Sequence, residues 1–247
     1  IEKKDPIVRV IDQKAENFSK EIVVKGFTKA DKKVFVKSET SGKIVDLPIA
    51  QGTFVKKGEV ICSLFVAERQ ANFDKALLDF NSAKKLFEEE LYSSKQLQNA
   101  KSNYERAKLE LDYANIKAPF DGVVDKIDLD VGDFLNRGST CATLLDLDPM
   151  MITGDISENE LLDLTKESSV KVITNDGQEF QGQITFISAS ADEMMHTFDI
   201  EISIPNPSGR IKDGQTAKVI VSATPEPAHI IPLSILRLDS EGNIGVR

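Results

Sequence analysis

Two segments of this chain, residues 36–64 and 116–144, carry the same pattern of turns and strands eighty positions apart. They align without a gap, and each contains three glycines at matched spacing. The matched glycines are Gly42, Gly52 and Gly58 in the first copy and Gly122, Gly132 and Gly138 in the second. Because each glycine marks a turn that the backbone must make, both copies are predicted to fold alike, as three short strands between turns. Two half-motifs of this kind predict one small β-sandwich that both copies complete together.

The segment between the two copies, residues 67–115, contains neither glycine nor proline, which predicts long uninterrupted helix. Apolar residues recur in it at heptad spacing. The positions are Phe73, Leu77, Phe80, Phe87 and Leu91, with Lys84 in one slot, and then Leu97, Ala100, Tyr104, Ala107, Leu111 and Ala114. The register breaks at residues 92–94, where a serine can cap a second helix. We predict an antiparallel coiled-coil hairpin with arms about 30–40 Å long; the alternative is an ordinary helical pair packed on a sheet.

The glycine spacing gives the two copies a resemblance to a known fold. The pattern Gly-x9-Gly-x5-Gly followed by an apolar strand resembles a half-motif of the biotinyl/lipoyl fold. Such a fold, split in two around a coiled-coil hairpin, resembles the membrane fusion protein family, the periplasmic adaptor subunits of tripartite efflux pumps. The string Ile-Lys-Ala-Pro-Phe-Asp-Gly-Val-Val at residues 116–124 is similar to the most recognisable sequence of that family.

The resemblance implies a mainly β, elongated, multidomain protein with a long α-helical hairpin. Four domains are expected in this arrangement. They are a partial membrane-proximal β-domain (1–21 and 225–247), a small β-barrel (22–33 and 148–224), a split lipoyl-like β-sandwich (34–66 and 116–147) and the antiparallel coiled-coil hairpin (67–115).

Local signals after the second copy predict an antiparallel β-barrel with one helix. Residues 157–160, Ser-Glu-Asn-Glu, form a capping box that begins a short helix. Strands are predicted at 170–174, 179–187, 198–204 and 217–221, with an Asn-Asp-Gly hairpin turn after the first of them.

The two ends of the chain are rich in β-forming residues. Strands are predicted at 7–11, 22–24, 229–233 and 243–246, and Pro225-Glu226-Pro227 is predicted to be a linker. The resemblance implies that the N-terminal strands join domains that the C-terminal end of the chain completes.

The composition argues against two classes of partner. The net charge is −9 and the basic residues are scattered among acids, so nucleic-acid binding is not expected. No apolar run is long enough to cross a bilayer. The chain begins at Ile1 without an initiator methionine or signal peptide, and we expect a membrane anchor, either a lipid or one helix, upstream of Ile1.

The two cysteines, Cys62 and Cys141, lie in the last strand of each copy, but one step out of phase with each other. Because successive residues of a strand face opposite sides, the two thiols are predicted to point in different directions. We therefore predict two small buried thiols, with a disulfide as the alternative.

No catalytic constellation, cofactor site or metal site is predicted. His196 and His229 lie in different predicted domains, so they are not expected to share a ligand set. A biotin or lipoate carrier subunit is an alternative of another class, but neither residues 65–69 nor residues 145–148 supply the acceptor lysine. A free-standing coiled-coil scaffold is a further alternative, and it would not need the duplicated β motif.

Two methionine-rich segments, Met150-Met151 and Met194-Met195-His196, offer a soft-metal site as an alternative. Adjacent residues on a strand point apart, which argues against shared coordination. Methionines that fill gaps in the core explain these segments equally well.

The tip of the hairpin is the candidate partner-binding surface. The candidate residues are Leu86, Phe87, Leu91, Ser93 and Ser94. In the family, the tip pattern Arg-x3-Leu-x6-Ser docks the outer-membrane channel, and the resemblance implies the same role here. The leucine and serine positions are filled, by Leu86 with Ser93 or by Phe87 with Ser94, but the arginine is missing and Lys84 and Lys85 lie nearby. The alternative is that Leu86, Phe87 and Leu91 only close the hairpin's own seam.

The predicted function is that of a non-enzymatic periplasmic adaptor. It would link an inner-membrane efflux transporter to an outer-membrane channel, with the β domains docking the transporter. The modest length of the hairpin favours a resistance-nodulation-division transporter, and an ATP-driven exporter or a type I secretion system is the alternative. The resemblance implies self-association, as a hexamer or a trimer of dimers, and anchoring to the inner membrane.

Overall fold

The computed structural model describes residues 14–238, 242 and 244–246. The helices are α1 Ala67–Glu88, α2 Ser94–Asp112 and α3 Glu158–Leu161, and Leu233–Ile235 forms one turn of 3-10 helix. The first nine strands are β1 Glu16–Phe18, β2 Glu21–Lys37, β3 Gly42–Asp46, β4 Phe54–Val55, β5 Val60–Leu64, β6 Asn115–Lys117, β7 Gly122–Lys126, β8 Phe134–Leu135 and β9 Thr140–Ser157. The others are β10 Ser169–Thr174, β11 Glu179–Ile187, β12 Thr197–Ile204, β13 Thr216–Ser222, β14 Glu226–Ala228, β15 Leu236–Leu238 and β16 Ile244–Val246.

The chain divides into two compact units. The repeat unit comprises residues 28–151 and 205–214, and it contains both copies of the β motif and the helices α1 and α2. The barrel unit comprises the described residues of 1–27, 152–204 and 215–247.

In the repeat unit, the two copies of the motif exchange strands with each other. Strand β3 of the first copy pairs with β8 of the second, and β7 of the second pairs with β4 of the first. Gly42 lies opposite Leu135, and Gly122 lies opposite Val55, so the two registers match eighty residues apart. The hairpin pairs β3–β5 and β7–β9 also share their register and their irregularity. Neither copy can therefore form this arrangement alone.

The core of the repeat unit draws on both copies. Its fully buried members include Ile44, Val55, Ile61, Leu64, Val124, Leu135 and Leu144. These residues come from strands of two sheets, since β6, β5, β3 and β8 form one and β9, β7 and β4 lie together in the other. Burial of an apolar side chain of this size contributes about 1.5–3 kcal/mol, so the shared core holds the two copies together.

Cys62 of β5 and Cys141 of β9 form a disulfide, with their Cα atoms 6.6 Å apart. The prediction of two free thiols is wrong. It assumed strict alternation, but the ladder of β5 shifts register between Val60 and Cys62, so Ile61 and Cys62 are both buried. Since β5 and β9 belong to different sheets, the disulfide crosses the core and joins the first copy to the second.

In the barrel unit, six strands close on themselves. Their order is β12, β11, β10, β13, β2 and β9, and β9 pairs with β12 to complete the ring. Alternating side chains fill the interior, as strands of a closed barrel require. The buried residues include Ile22, Val24, Ile152, Ile156, Val170, Val172, Ile184, Ile200, Ile202, Val219 and Val221. The predicted small β-barrel is confirmed.

Local predictions in the barrel unit also hold. Helix α3 begins after Ser157, whose backbone N–H and hydroxyl both donate to Oε2 of Glu160, at 2.9 and 2.6 Å. These hydrogen bonds lower the pKa of the Glu160 carboxyl below its usual range. Strands β10 and β11 pair as a hairpin around the predicted turn, in which Gly177 has a φ of 80°.

Two predictions at the ends of the chain are wrong. The proline-rich segment 225–227 is not a linker, because Glu226–Ala228 is a strand that pairs with Glu16–Phe18. Proline is tolerated there because both strands of this two-stranded ribbon are edges. Residues 229–233 form no strand either; Pro232 instead precedes the 3-10 turn.

Other terminal predictions have mixed outcomes. The predicted strand at 7–11 lies outside the described residues, and so does Asn243. Residues 22–24 lie in β2, as predicted. Residues 244–246 form β16, which pairs with β15 in an antiparallel ribbon.

Candidate partner-binding site at the helical hairpin

Helices α1 and α2 pack against each other through an aromatic cluster. The rings of Phe73 and Phe80 on α1 lie 5.7 and 5.4 Å from the ring of Tyr104 on α2. The six apolar positions predicted for the second helix are all buried or half-buried. They are Leu97, Ala100, Tyr104, Ala107, Leu111 and Ala114. The seam of this helix thus follows the heptad pattern in the sequence.

The seam of α1 departs from the predicted register in its last two turns. Ala83 is 4% exposed and Leu86 is half-buried, whereas Lys84 is exposed and Phe87 is 40% exposed. The prediction that Lys84 and Phe87 lie in the seam is therefore wrong. The seam positions are Ala83 and Leu86, in each case one residue earlier. A helix with 3.6 residues per turn drifts against a strict seven-residue repeat, and the small Ala83 side chain allows close approach where a lysine would not.

The connection between the helices is short and hydrogen-bonded. Ser93 caps α2: its backbone N–H and its hydroxyl donate to Oε1 of Gln96 at 2.8 and 2.9 Å, and the Gln96 N–H donates to the Ser93 hydroxyl at 3.3 Å. On the other side, the N–H of Leu91 donates to the carbonyl of Leu86 at 2.8 Å. Glu90 turns the chain with a φ of 61°. The Ser93 hydroxyl is thus engaged in the cap of α2.

The predicted tip residues lie together in this connection and the turns beside it. Leu91 is 69% exposed and Phe87 is 40% exposed, while Leu86 is half-buried. Leu91 therefore does not close the seam, and both its heptad assignment and the alternative interpretation are wrong for this residue. Tyr92, which the sequence analysis did not single out, adds an aromatic ring that is 37% exposed. The position of Tyr92 next to Leu91, where the heptad register breaks, is the sequence feature that could have identified it as a tip residue.

The methionine-rich segments occupy different environments. Met150 is fully buried, in strand β9. Met194 and Met195 are 90% and 61% exposed. Within the described part of the chain, no three side chains of the His, Cys, Asp and Glu types are grouped so that they could hold a metal ion.

Two family models match the chain. One, described as the barrel-sandwich hybrid domain of RND MFP, matches residues 32–147, and the other, described as a CusB-like β-barrel domain, matches residues 152–225. Together they cover most of the sequence. The chain belongs to the membrane fusion protein family. Members of this family are non-enzymatic periplasmic adaptors, and this membrane fusion protein is accordingly not an enzyme.

Curated relatives of this membrane fusion protein are named as efflux components. Multidrug resistance protein MdtA of Photorhabdus laumondii is 24% identical over 96% of this chain and 69% of its own length. The efflux pump periplasmic linker BepD of Brucella suis is 22% identical over 96% of this chain and 72% of its own length.

A solved structure has a similar fold. It is a MacA–MexA chimera that contains the α-hairpin domain of Pseudomonas aeruginosa MexA. It superposes with a TM-score of 0.71 at 23% identity, over 89% of this chain and 87% of the chimera. Among the described residues of this membrane fusion protein, no helix is both long and apolar enough to cross a membrane.

Proposed function

We propose that this membrane fusion protein links an inner-membrane efflux transporter to an outer-membrane channel, and that the tip of its hairpin docks the channel. The proposal includes the finer fold assignment: helices α1 and α2 form a coiled-coil hairpin that projects from a lipoyl-like body. The relatives named as multidrug resistance proteins and periplasmic linkers support the general role. The match to a model described as RND MFP favours a resistance-nodulation-division transporter as the inner-membrane partner.

The exposed apolar tip is the observation that carries this proposal. Leu91, Phe87 and Tyr92 are 69%, 40% and 37% exposed, and they lie within six residues of one another in the sequence. Charged residues are frequent on the rest of the hairpin, and a group of exposed apolar side chains at its end is suited to a partner surface. Helical hairpins offer such ends to other helices, because apolar anchors can enter the grooves of a partner bundle.

The tip can be tested with a matched pair of substitutions on the same hairpin. Leu91→Asp places a charge at the tip, and Leu78→Asp places the same charge on the side of α1, where Leu78 is 67% exposed. We expect Leu91→Asp to abolish efflux and cross-linking to the channel, and Leu78→Asp to retain both. Circular dichroism should show equal helical content. If efflux survived Leu91→Asp, the tip would not be the surface that docks the channel.

The β domains are proposed to dock the transporter, and the protein is proposed to act as a hexamer or a trimer of dimers anchored to the inner membrane. The proposed domain boundaries are those given by the sequence, with the hairpin at residues 67–115. Replacement of these residues by a short Gly/Ser loop should leave a folded protein, because the strand exchange between the two copies does not pass through the helices. Co-purification of the loop variant with the transporter but not with the channel would support this division of roles.

The class of the inner-membrane transporter can be tested with the same cross-linking and efflux assays. An ATP-driven exporter or a type I secretion system remains the alternative partner. Co-expression with a representative of each class, followed by cross-linking and an efflux assay, separates them. Activity that requires a resistance-nodulation-division transporter supports the proposal, and activity only with an ATP-driven exporter would replace it.

A further inference from the structure

The two helices join the body of the repeat unit through very short links. Two residues, 65 and 66, separate β5 from α1, and two residues, 113 and 114, separate α2 from β6. At the junction, the N–H of Leu64 donates to the carbonyl of Ala114 at 2.8 Å. This hydrogen bond holds the two links side by side. It leaves the direction of the helices to be set by contacts further along them.

Arg69, in the first turn of α1, reaches back from the helix to the body. Its Nη2 donates to the hydroxyl of Thr40 at 2.9 Å and to the carbonyl of Ser41 at 2.6 Å. Its Nη1 donates to the carbonyl of Phe65 at 3.1 Å. A Cβ at Gly42 would lie 3.7 Å from Nη1, an ordinary van der Waals distance, so the guanidinium packs beside Gly42 at the start of β3. The planar guanidinium thus connects α1 to the turn between β2 and β3.

The turn that receives Arg69 is itself fixed by the second copy. Ser38 is 2% exposed, its N–H donates to the carbonyl of Ser139 at 2.9 Å, and its own carbonyl accepts from Gly138 at 2.7 Å. The hydroxyl of Ser41 accepts from the N–H of Arg137 at 3.0 Å. Arg69 therefore binds a turn that is itself hydrogen-bonded to the second copy.

The second helix contacts the same turn. Tyr113, directly after α2, is half-buried and lines the same surface cavity as Glu39 of this turn. Burial, followed by the neighbouring Glu39 carboxylate, raises the pKa of the Tyr113 hydroxyl above its usual range. The turn 38–41 thus binds α1 through Arg69 and lies beside Tyr113 at the end of α2.

The second copy of the motif shows that this arrangement is not required by the β fold. Its equivalent turn, residues 118–121, has the counterpart of the Arg137–Ser41 hydrogen bond, since the N–H of Lys57 donates to Oδ1 of Asp121 at 2.6 Å, and it forms without an arginine like Arg69. Eighty residues after Arg69 the chain has Pro149, in a strand that continues without a helix. The arginine contact is present only in the copy from which the helices depart.

We propose that Arg69 is a positioning residue that fixes the direction of the helical hairpin relative to the body, with the Tyr113–Glu39 contact as a second attachment. The proposal concerns the purified protein by itself. Its importance for transport rests on the proposed function, in which a partner must find the tip at a defined place.

Double electron–electron resonance can measure the direction directly. Spin labels are placed on Lys95→Cys, near the tip, and Lys56→Cys, on the body; both positions are exposed. The native cysteines are bonded to each other and do not take the label. We expect one narrow distance distribution in the parent. Arg69→Ala should lose the narrow peak, and Tyr113→Phe should broaden it less.

Two controls separate positioning from general stability. Arg106→Ala, which removes an exposed arginine of α2, should keep the narrow peak. Arg69→Lys keeps the charge but cannot span the acceptors with a planar fork, so it should broaden the peak even if Arg69→Ala fails to fold. A narrow peak in both Arg69 variants overturns the proposal, whatever their efflux activity. A broadened peak with normal efflux would instead leave the positioning role in place and count against the proposed docking function of the tip.

Discussion

Gly58 donates its backbone N–H to the carbonyl oxygen of Ala118 at 2.8 Å, and so binds the first copy of the β motif to the second. Eighty residues along, Gly138 makes the same hydrogen bond to Ser38 at 2.7 Å. The two glycines also share a left-handed backbone, with φ values of 86° and 83°. The two copies are thus related by an approximate two-fold symmetry, and each copy supplies hydrogen-bond partners to the other.

This symmetry is not exact, because the surroundings of Gly122 differ from those of Gly42. A Cβ at Gly122 would collide with the backbone carbonyl oxygen of Leu145, whereas a Cβ at Gly42 would meet only side chains, Leu64 at 3.3 Å and Arg69 at 3.7 Å. We expect Gly122→Ala to lower the free energy of unfolding by about 2–3 kcal/mol, since the backbone must shift. Gly42→Ala should change the free energy of unfolding by less than about 1 kcal/mol. Alanine lowers the entropy of the unfolded chain, and this stabilising effect offsets the close side-chain contact.

Intrinsic tyrosine fluorescence during urea unfolding measures this difference. The three tyrosines of the chain, at positions 92, 104 and 113, all lie in the repeat unit. Equal losses in the two variants would show that the repeats are equivalent at this position and would contradict the structure.

The disulfide between Cys62 and Cys141 closes a loop with a sequence separation of 79 residues. Cross-linking a loop of this length lowers the entropy of the unfolded chain enough to stabilise the fold by about 4–5 kcal/mol. The double variant Cys62→Ala with Cys141→Ala should lose stability of that order in urea unfolding. Reductant should destabilise the parent similarly and leave the double variant unchanged. A parent that is insensitive to reductant after unfolding and refolding would argue against the bond.

The sequence was most informative where a structure is set by neighbouring residues. The capping box of Ser157 with Glu160 and the turn before β11 depend on side chains within four positions, and both were predicted. The repeat was equally readable, because glycines that a turn requires recur at fixed spacing.

The failures involve partners that are distant in the sequence or irregularities that no pattern marks. The ribbon at Glu226–Ala228 depends on Glu16–Phe18, two hundred residues earlier, so its prolines indicated a linker. The disulfide depends on a register shift beside Cys62 that reverses the alternation. At the candidate site, the heptad pattern placed Leu91 in the seam, but Leu91 lies beyond the end of α1 and is 69% exposed. The contacts of Arg69 could not be predicted either, because its acceptors include backbone carbonyls in another element.

Asn206 gives a third prediction, about stability. It is 3% exposed, and its Nδ2 donates to the carbonyls of Leu147 and Ile211, both at 2.9 Å, while its Oδ1 accepts from the N–H of Ile211 at 3.2 Å. Asn206→Ala removes these three buried hydrogen bonds, which should cost about 3 kcal/mol. The exposed Asn103 on α2 is the matched control, and Asn103→Ala should cost less than about 0.5 kcal/mol. Tyrosine fluorescence in urea compares them, and a small loss for Asn206→Ala would mean that the loop relaxes around the gap.

The fourth prediction concerns pH and the strands that close the barrel. Asp155 on β9 lies beside Asp199 on β12, and partial desolvation, followed by the hydrogen bond and charge of Asp199, raises the pKa of the Asp155 carboxyl. A carboxyl whose pKa is higher in the folded protein contributes stability that is full below its unfolded value, about 3.9, and is lost as pH rises through the folded value. Asp199→Asn should therefore lower the pKa of Asp155 and stabilise the barrel unit near pH 7, by under about 1 kcal/mol because both side chains are exposed.

Carbon-13 NMR titration of the Asp155 carboxyl measures the pKa shift directly. Glu193→Gln, at an exposed position of the neighbouring loop, is the control that should leave the pKa of Asp155 unchanged. If the Asp155 pKa in Asp199→Asn matched that of the parent, repulsion and hydrogen bonding across the β9–β12 pair could not be its cause.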